Sequence, residues 1–176
     1  ESITYIPFKQ RSTMTPSYTI VTNAGTMWNT ENGKAIERGN LLHEMLGKII
    51  TEADIPEVLQ QFFIEGRITE AQINPLTSQL KEVVTNPLIR DYYTSNYIIY
   101  NEREWLDQAG EYLRPDRVAY QEQKREAIII DYKTGDDHPQ YQTQLKRYVQ
   151  VLEQMGWRVG KSFLVFINEE ITVKIL

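Results

Sequence analysis

No cysteine occurs in this 176-residue chain, and that one absence removes several chemistries at once. Disulfide staples, thiolate zinc sites, cysteine nucleophiles and iron–sulfur clusters all need the missing sulfur. The lack fits a cytoplasmic protein. Also missing is any apolar run near the ~20 residues of a membrane-spanning helix, and the start carries no signal-peptide pattern. No membrane partner is expected. There is no Ser nucleophile elbow and no Gly-x-x-x-x-Gly-Lys phosphate loop. A basic surplus is absent too: 19 Lys and Arg stand against 24 Asp and Glu, a net charge of −5. Sequence-independent nucleic-acid binders usually carry a basic footprint, so this balance disfavours tight autonomous DNA binding. A site that gathers carboxylates around a metal would lower the charge as well.

What is present reads as one domain with a substantial core, since no repeat, low-complexity tract or linker divides the chain. Residues 1–33 are rich in Thr, Ser, Asn and Gly, and predict an irregular arm. Residues 34–93 predict a helical part. A helix from Lys34 to about Thr51 carries Leu42, Leu46, Ile49 and Ile50 as one apolar stripe. Asp54 is placed to N-cap a helix to about Glu65. Gly66 ends it, Thr69 starts another helix running to about Val84, and Pro87 opens a helical turn through Tyr93. Residues 94–176 predict a sheet core. Tyr97–Trp105, Tyr112–Tyr120 and Arg125–Tyr132 read as three consecutive strands with short connections, an antiparallel meander. Helix spacing returns over Pro139–Met155, and Ser162–Ile167 and Ile171–Ile175 are further strands. A helix between two buried strands implies a parallel pair. The fold class is therefore α/β: a mixed sheet of a three-strand meander plus a parallel strand, flanked by helices.

The most informative stretch is Ile128-Ile-Ile-Asp-Tyr-Lys-Thr-Gly135. Three β-branched residues commit it to a buried strand. Asp131 and Lys133, two apart, point to the same face, while Tyr132 points away and leaves its backbone carbonyl at the strand edge. Upstream, Arg114-Pro-Asp-Arg117 places Asp116 opposite Asp131 if the chain turns near Gln123 and Lys124. Opposed residues of an antiparallel pair share a face, roughly 5 Å apart at Cβ. Two carboxylates that close need a proton or cation between them, and a hard divalent ion, Mg²⁺ or Mn²⁺, resolves the repulsion. Taken alone, Asp-x-Lys is common, and a structural ion pair is its plainer reading. Arg38-Gly-Asn-Leu-Leu-His43 sets His43 on the first helix between Gly39 and Gly47. Two helical glycines cost roughly 1 kcal/mol each against alanine, which implies a close neighbour at the helix surface.

Taken together, these segments resemble the PD-(D/E)xK nucleases, and more narrowly the RecB-type nuclease domains at the C-terminus of bacterial UvrD/Rep-like DNA helicases. The matching pieces are Arg38–His43, Arg114-Pro-Asp-Arg117, Asp131-Tyr-Lys-Thr-Gly135 and Gln144-Leu-Lys-Arg-Tyr148, in the family's order. The resemblance implies a restriction-endonuclease-like core and a metal-dependent DNA nuclease active in repair or recombination, cytoplasmic and bacterial. It makes His43 a metal ligand beside Asp116, Asp131 and the Tyr132 carbonyl. Lys133 becomes the catalytic cation, with Gln144 and Tyr148 in support. The family often has an acid in the first strand, which brings in Glu102 as a further metal candidate; a surface salt-bridge partner is its plain alternative. DNA is the implied partner, and helicase motor domains would lie elsewhere in the same full-length chain, of which these residues would be a fragment. A non-catalytic DNA-binding or scaffolding domain that retains the nuclease fold is the alternative.

Overall fold

The structure, a computed structural model, describes residues 31–168 and 170–176. The expected irregular arm lies outside the described residues as far as residue 30. Residues 31–33 belong to the first helix, α1 (Glu31–Lys48), which therefore starts before Lys34. Leu42, Met45 and Leu46 are buried along it. The helix stops at Lys48, so Ile49 stays buried but Ile50, expected on the same stripe, is 48% exposed. Asp54 also differs from expectation. Its carboxylate accepts from the backbone N–H groups of Ile50 and Thr51, at 2.9 and 2.7 Å, and so caps a short 3-10 turn, Glu52–Asp54. The following helix, α2 (Ile55–Ile64), begins without a side-chain cap and relies on Pro56 in its first turn. Gly66, at φ 69°, turns the chain out of α2. Thr69 and Gln72 form a capping box for α3 (Glu70–Val84).

The main sheet has five strands: β1 (Ile98–Asn101), β4 (Arg117–Gln121), β5 (Glu126–Lys133), β6 (Arg158–Ile167) and β7 (Ile171–Ile175), side by side in that order. Only β5 and β6 run parallel, joined by α4 (Pro139–Gln154). The first two expected strands are shorter than their patterns suggest. Glu102, at φ 53°, breaks the first. Between β1 and β4 the chain makes a separate hairpin, β2 (Trp105–Leu106) with β3 (Tyr112–Leu113). The β4–β5 register pairs Arg117 with Ile130, and the turn closes with Arg125 in the left-handed region. One step beyond the Arg117–Ile130 pair, Asp116 comes level with Asp131. The predicted opposition holds.

Strand β5 is buried on both faces, which is why it reads as an apolar run instead of alternating. Ile128, Ile130 and Tyr132 join a core built with α1–α3, while Ala127 and Ile129 join a second core under α4. Leu145, Tyr148, Val151 and Leu152 are the buried side of α4, and Val149 is only partly covered. By alternation Asp131 and Lys133 belong to the α4 side. Asp116, two residues before Val118, does too. No helix among the described residues is long and apolar enough to cross a membrane.

Candidate active site

At the C-terminal end of β5 side chains from several elements converge. His43 arrives from α1, Glu102 from the break after β1, Asp116 from the start of β4, and Asp131 and Lys133 from β5. His43 Nε2 lies 2.9 Å from Asp116 Oδ2, and Nδ1 lies 3.1 Å from Glu102 Oε1. These three side chains place one donor atom each within 4.8 Å of one another, an arrangement able to hold a metal ion. Glu102 reaches His43 because its left-handed backbone breaks the strand alternation; Glu104, which regular pairing would put on the same face, is exposed instead. Arg114 Nε holds the second Glu102 oxygen at 3.0 Å.

Asp116 and Asp131 have different partners. Asp116 Oδ2 accepts the Tyr132 backbone N–H at 2.7 Å, so strand β5 itself locates this carboxylate. Asp131 turns instead to Lys133, whose Nζ sits 2.7 Å from Oδ2. That ammonium is off the line a hydrogen bond requires, and both Asp131 oxygens, in a side chain only 1% exposed, lack an aligned donor. Lys133 Nζ donates to Gln144 Oε1 at 3.1 Å, Gln144 Nε2 donates to the Tyr148 hydroxyl at 2.8 Å, and that hydroxyl donates to the Arg114 carbonyl at 3.2 Å. The expected pair on α4 is thus joined to the lysine, four residues apart and one turn along the helix. An open cleft of about 750 Å³ leads in, lined by His43, Gly47, Glu102, Arg114, Lys133 and Tyr141 among others.

The protonation states follow from these contacts. Hydrogen bonds to Asp116 and then Glu102 raise His43 from near 6.5 to about 10, so the imidazole carries a proton between the two acids. Burial first, and the Asp116 charge second, push Asp131 up to about 7 against the pull of Lys133. Burial also raises the Tyr148 hydroxyl, leaving it a neutral donor.

A family model described as the PD-(D/E)XK nuclease superfamily matches residues 17–174, and the motifs it is named for are the Pro-Asp and Asp-x-Lys segments just placed. The chain belongs to the PD-(D/E)XK nuclease superfamily. No curated protein matches it. Among solved structures, "Crystal structure of SSO0001" is similar at 16% identity with a TM-score of 0.32, over 76% of this chain and 65% of that one. This chain therefore spans less than two thirds of the length of that relative, and a likeness at this distance adds nothing to the family assignment.

Of the two helical glycines, Gly39 has the close neighbour its cost implies and Gly47 does not. A Cβ on Gly39 would sit 2.7 Å from the Thr134 side chain, directly after Lys133, whereas one on Gly47 would rest 3.4 Å from Glu102. Sequence reasoning missed Arg117. Its fully buried guanidinium donates to the carbonyls of Ile49, Ile50 and Tyr92 at 2.7, 2.7 and 2.9 Å and lies 3.9 Å from the Tyr93 ring centroid. A charged residue at an inward position of a buried strand was the available signal. Arg147 is paired with Asp107 and Glu111 of the β2–β3 hairpin.

Proposed function

We propose that this superfamily domain is a metal-dependent deoxyribonuclease that hydrolyses phosphodiester bonds with Mg²⁺ or Mn²⁺. In this reading it serves as the nuclease module of a bacterial DNA helicase, acting in repair or recombination in the cytoplasm. The observation that carries it is the meeting of a His–Glu–Asp cluster with a buried Asp–Lys pair at one strand end, open to a cleft. A helicase context is supported by the resemblance of the four motifs, and an acidic module fits a protein whose motor brings the DNA to it.

The donor set suits a hard divalent cation: carboxylate oxygens with one imidazole. The buried Asp131 carboxylate has the Lys133 ammonium on one oxygen and no donor on the other, which leaves it room to accept a cation. A protonated His43 supplies positive charge between two acids, and a cation that displaced its proton would take over that task. Asp116, Asp131, His43 and the Tyr132 carbonyl are the proposed ligands, with Glu102 beside them. When bound, the ion lowers the pKa of water and neutralises phosphate charge. Lys133 orients or deprotonates the attacking water, or bears on the negative charge that develops at phosphorus. Gln144 fixes one Lys133 donor, and Tyr148 fixes the Gln144 amide, so α4 decides where the remaining ammonium protons point.

The test compares wild-type protein with Lys133→Ala on single- and double-stranded DNA, with Mg²⁺, Mn²⁺ or a chelator. Metal-dependent cleavage by wild type and none by Lys133→Ala is the expected result. If the wild-type domain and its full-length parent bind DNA but cut nothing with any divalent metal, the scaffold reading replaces this one.

A further inference from the structure

The β2–β3 hairpin begins and ends at the candidate site. Glu102 precedes it by three residues, and Arg114 and Asp116 follow directly after it. A two-stranded hairpin of this size is not stable alone, and this one is fastened from one side only. Trp105 and Leu113, paired across the hairpin, are buried with Tyr148 and the second core, and Trp105 meets the Tyr148 ring edge-on at 6.3 Å. Arg147 of α4 grips Asp107 and Glu111 at the tip, with its Nε 3.1 Å from Asp107 Oδ2.

The other side carries the opposite pair, Leu106 and Tyr112, which are 58% and 77% exposed. One exposed apolar residue is ordinary. Here two stand face to face on a rigidly mounted ribbon, beside a site for phosphodiester chemistry. Burial alternates along the chain from Tyr112 to Pro115, exposed and buried by turns. Tyr112 and Arg114 therefore belong to one side of an extended segment, roughly 7 Å apart, before the chain bends at Asp116. Arg114 in turn holds Glu102 at 3.0 Å, so the series runs from an exposed aromatic through a cation to a carboxylate of the metal-binding cluster.

We propose that Tyr112, backed by Leu106, is a stacking platform for a nucleobase of single-stranded DNA, seated next to the phosphate that the site cleaves. The proposal rests on the nuclease reading and names its substrate class. A tyrosine face accepts any base, so the platform confers strand-state preference without sequence preference. A base locked in a duplex has its faces covered by neighbouring pairs and cannot use it. Arg114, half-exposed beside Glu102, supplies a cation for the intervening phosphate. Arg147 offsets one of the two negative charges at the hairpin tip.

The experiment measures binding of a fluorescent oligothymidylate and of a blunt duplex of equal length, in chelator so that nothing is cut. Wild type, Tyr112→Ala, Tyr112→Trp and Leu106→Ala are compared, with cleavage kinetics in Mn²⁺ as a second arm. Tyr112→Ala should weaken single-strand binding roughly tenfold and leave duplex binding unchanged. Its loss in cleavage should fall on KM and spare kcat. Tyr112→Trp should restore binding and add fluorescence that the oligonucleotide quenches. Circular dichroism checks that the three variants fold like wild type. If Tyr112→Ala binds and cuts single strands like wild type, the platform is overturned while the nuclease reading stands. If binding is Tyr112-dependent but wild type never cuts, the platform stands and the nuclease reading falls. A wild-type protein that binds no single strand overturns the platform outright.

Discussion

Arg117 Nη1 lies 2.7 Å from the Ile49 carbonyl oxygen, a bond that ties the end of the helix carrying His43 to the residue next to Asp116. The same guanidinium satisfies the Ile50 and Tyr92 carbonyls, and Asn101 Nδ2 adds a bond to the Gly47 carbonyl at 3.0 Å. Two ligand candidates from distant parts of the chain are thus held in register by a buried residue whose bonds go to backbone carbonyls.

Arg117→Met should therefore destabilise the fold by about 3 kcal/mol or more, because it strands three buried carbonyls. Urea unfolding measures this. Where the variant remains folded, calorimetric titration should find Mn²⁺ affinity reduced as well. A variant as stable as wild type would show that water replaces the guanidinium without loss.

The two glycines of α1 should respond in opposite directions. Gly39→Ala drives a methyl group into Thr134, and should lower both the melting temperature and cleavage by displacing the segment after Lys133. Gly47→Ala meets Glu102 at ordinary contact distance, so helix propensity should dominate, with a gain of a few tenths to about 1 kcal/mol. Paired thermal melts decide the signs.

In the metal-free protein, stability should fall as pH rises. Asp131, up at about 7 from an ordinary 3.8, keeps a proton that the unfolded chain has released, so stability declines between roughly pH 4 and 7. His43, up at about 10, gives a contribution that is whole below about 6.5 and lost as pH climbs through 10. Melting temperatures across this range should fall for wild type, and Asp131→Asn should flatten the acidic part. Saturating Mn²⁺ should oppose the trend, since the ion competes with these protons.

Lys133→Ala should retain Mn²⁺ binding and lose cleavage, because the lysine is not a proposed ligand. Asp131→Ala should lose both. Removing a buried carboxylate that lacks an aligned donor should also leave the metal-free Asp131→Ala protein as stable as wild type or more so. Calorimetry with Mn²⁺ and melts in chelator separate the two variants. A Lys133→Ala protein unable to bind Mn²⁺ would mean that the lysine organises the ligands.

Local pattern was enough to read β5 from Ile128–Ile130, α3 from the Thr69–Gln72 box and Gly66, and the parallel pair from a helix between apolar strands. Arithmetic about the turn at Gln123 and Lys124 also set Asp116 level with Asp131, since antiparallel register is a property of chain length between partners. Periodicity could not foresee the Glu102 break or the β2–β3 hairpin. Both depend on a single left-handed residue and on anchors brought from α4 by folding.

Residue order alone settles which chemistry is available: the carboxylates, the imidazole, the Asp131–Lys133 pair on one strand face, and the absence of any thiolate ligand. How they are shared out is a matter of folding. Whether His43 meets Glu102 and Asp116, and whether Asp131 turns to Lys133, depends on how α1 docks against the sheet end. That docking is fixed by Arg117, Asn101 and the glycine contacts, long-range interactions whose partners no local pattern names.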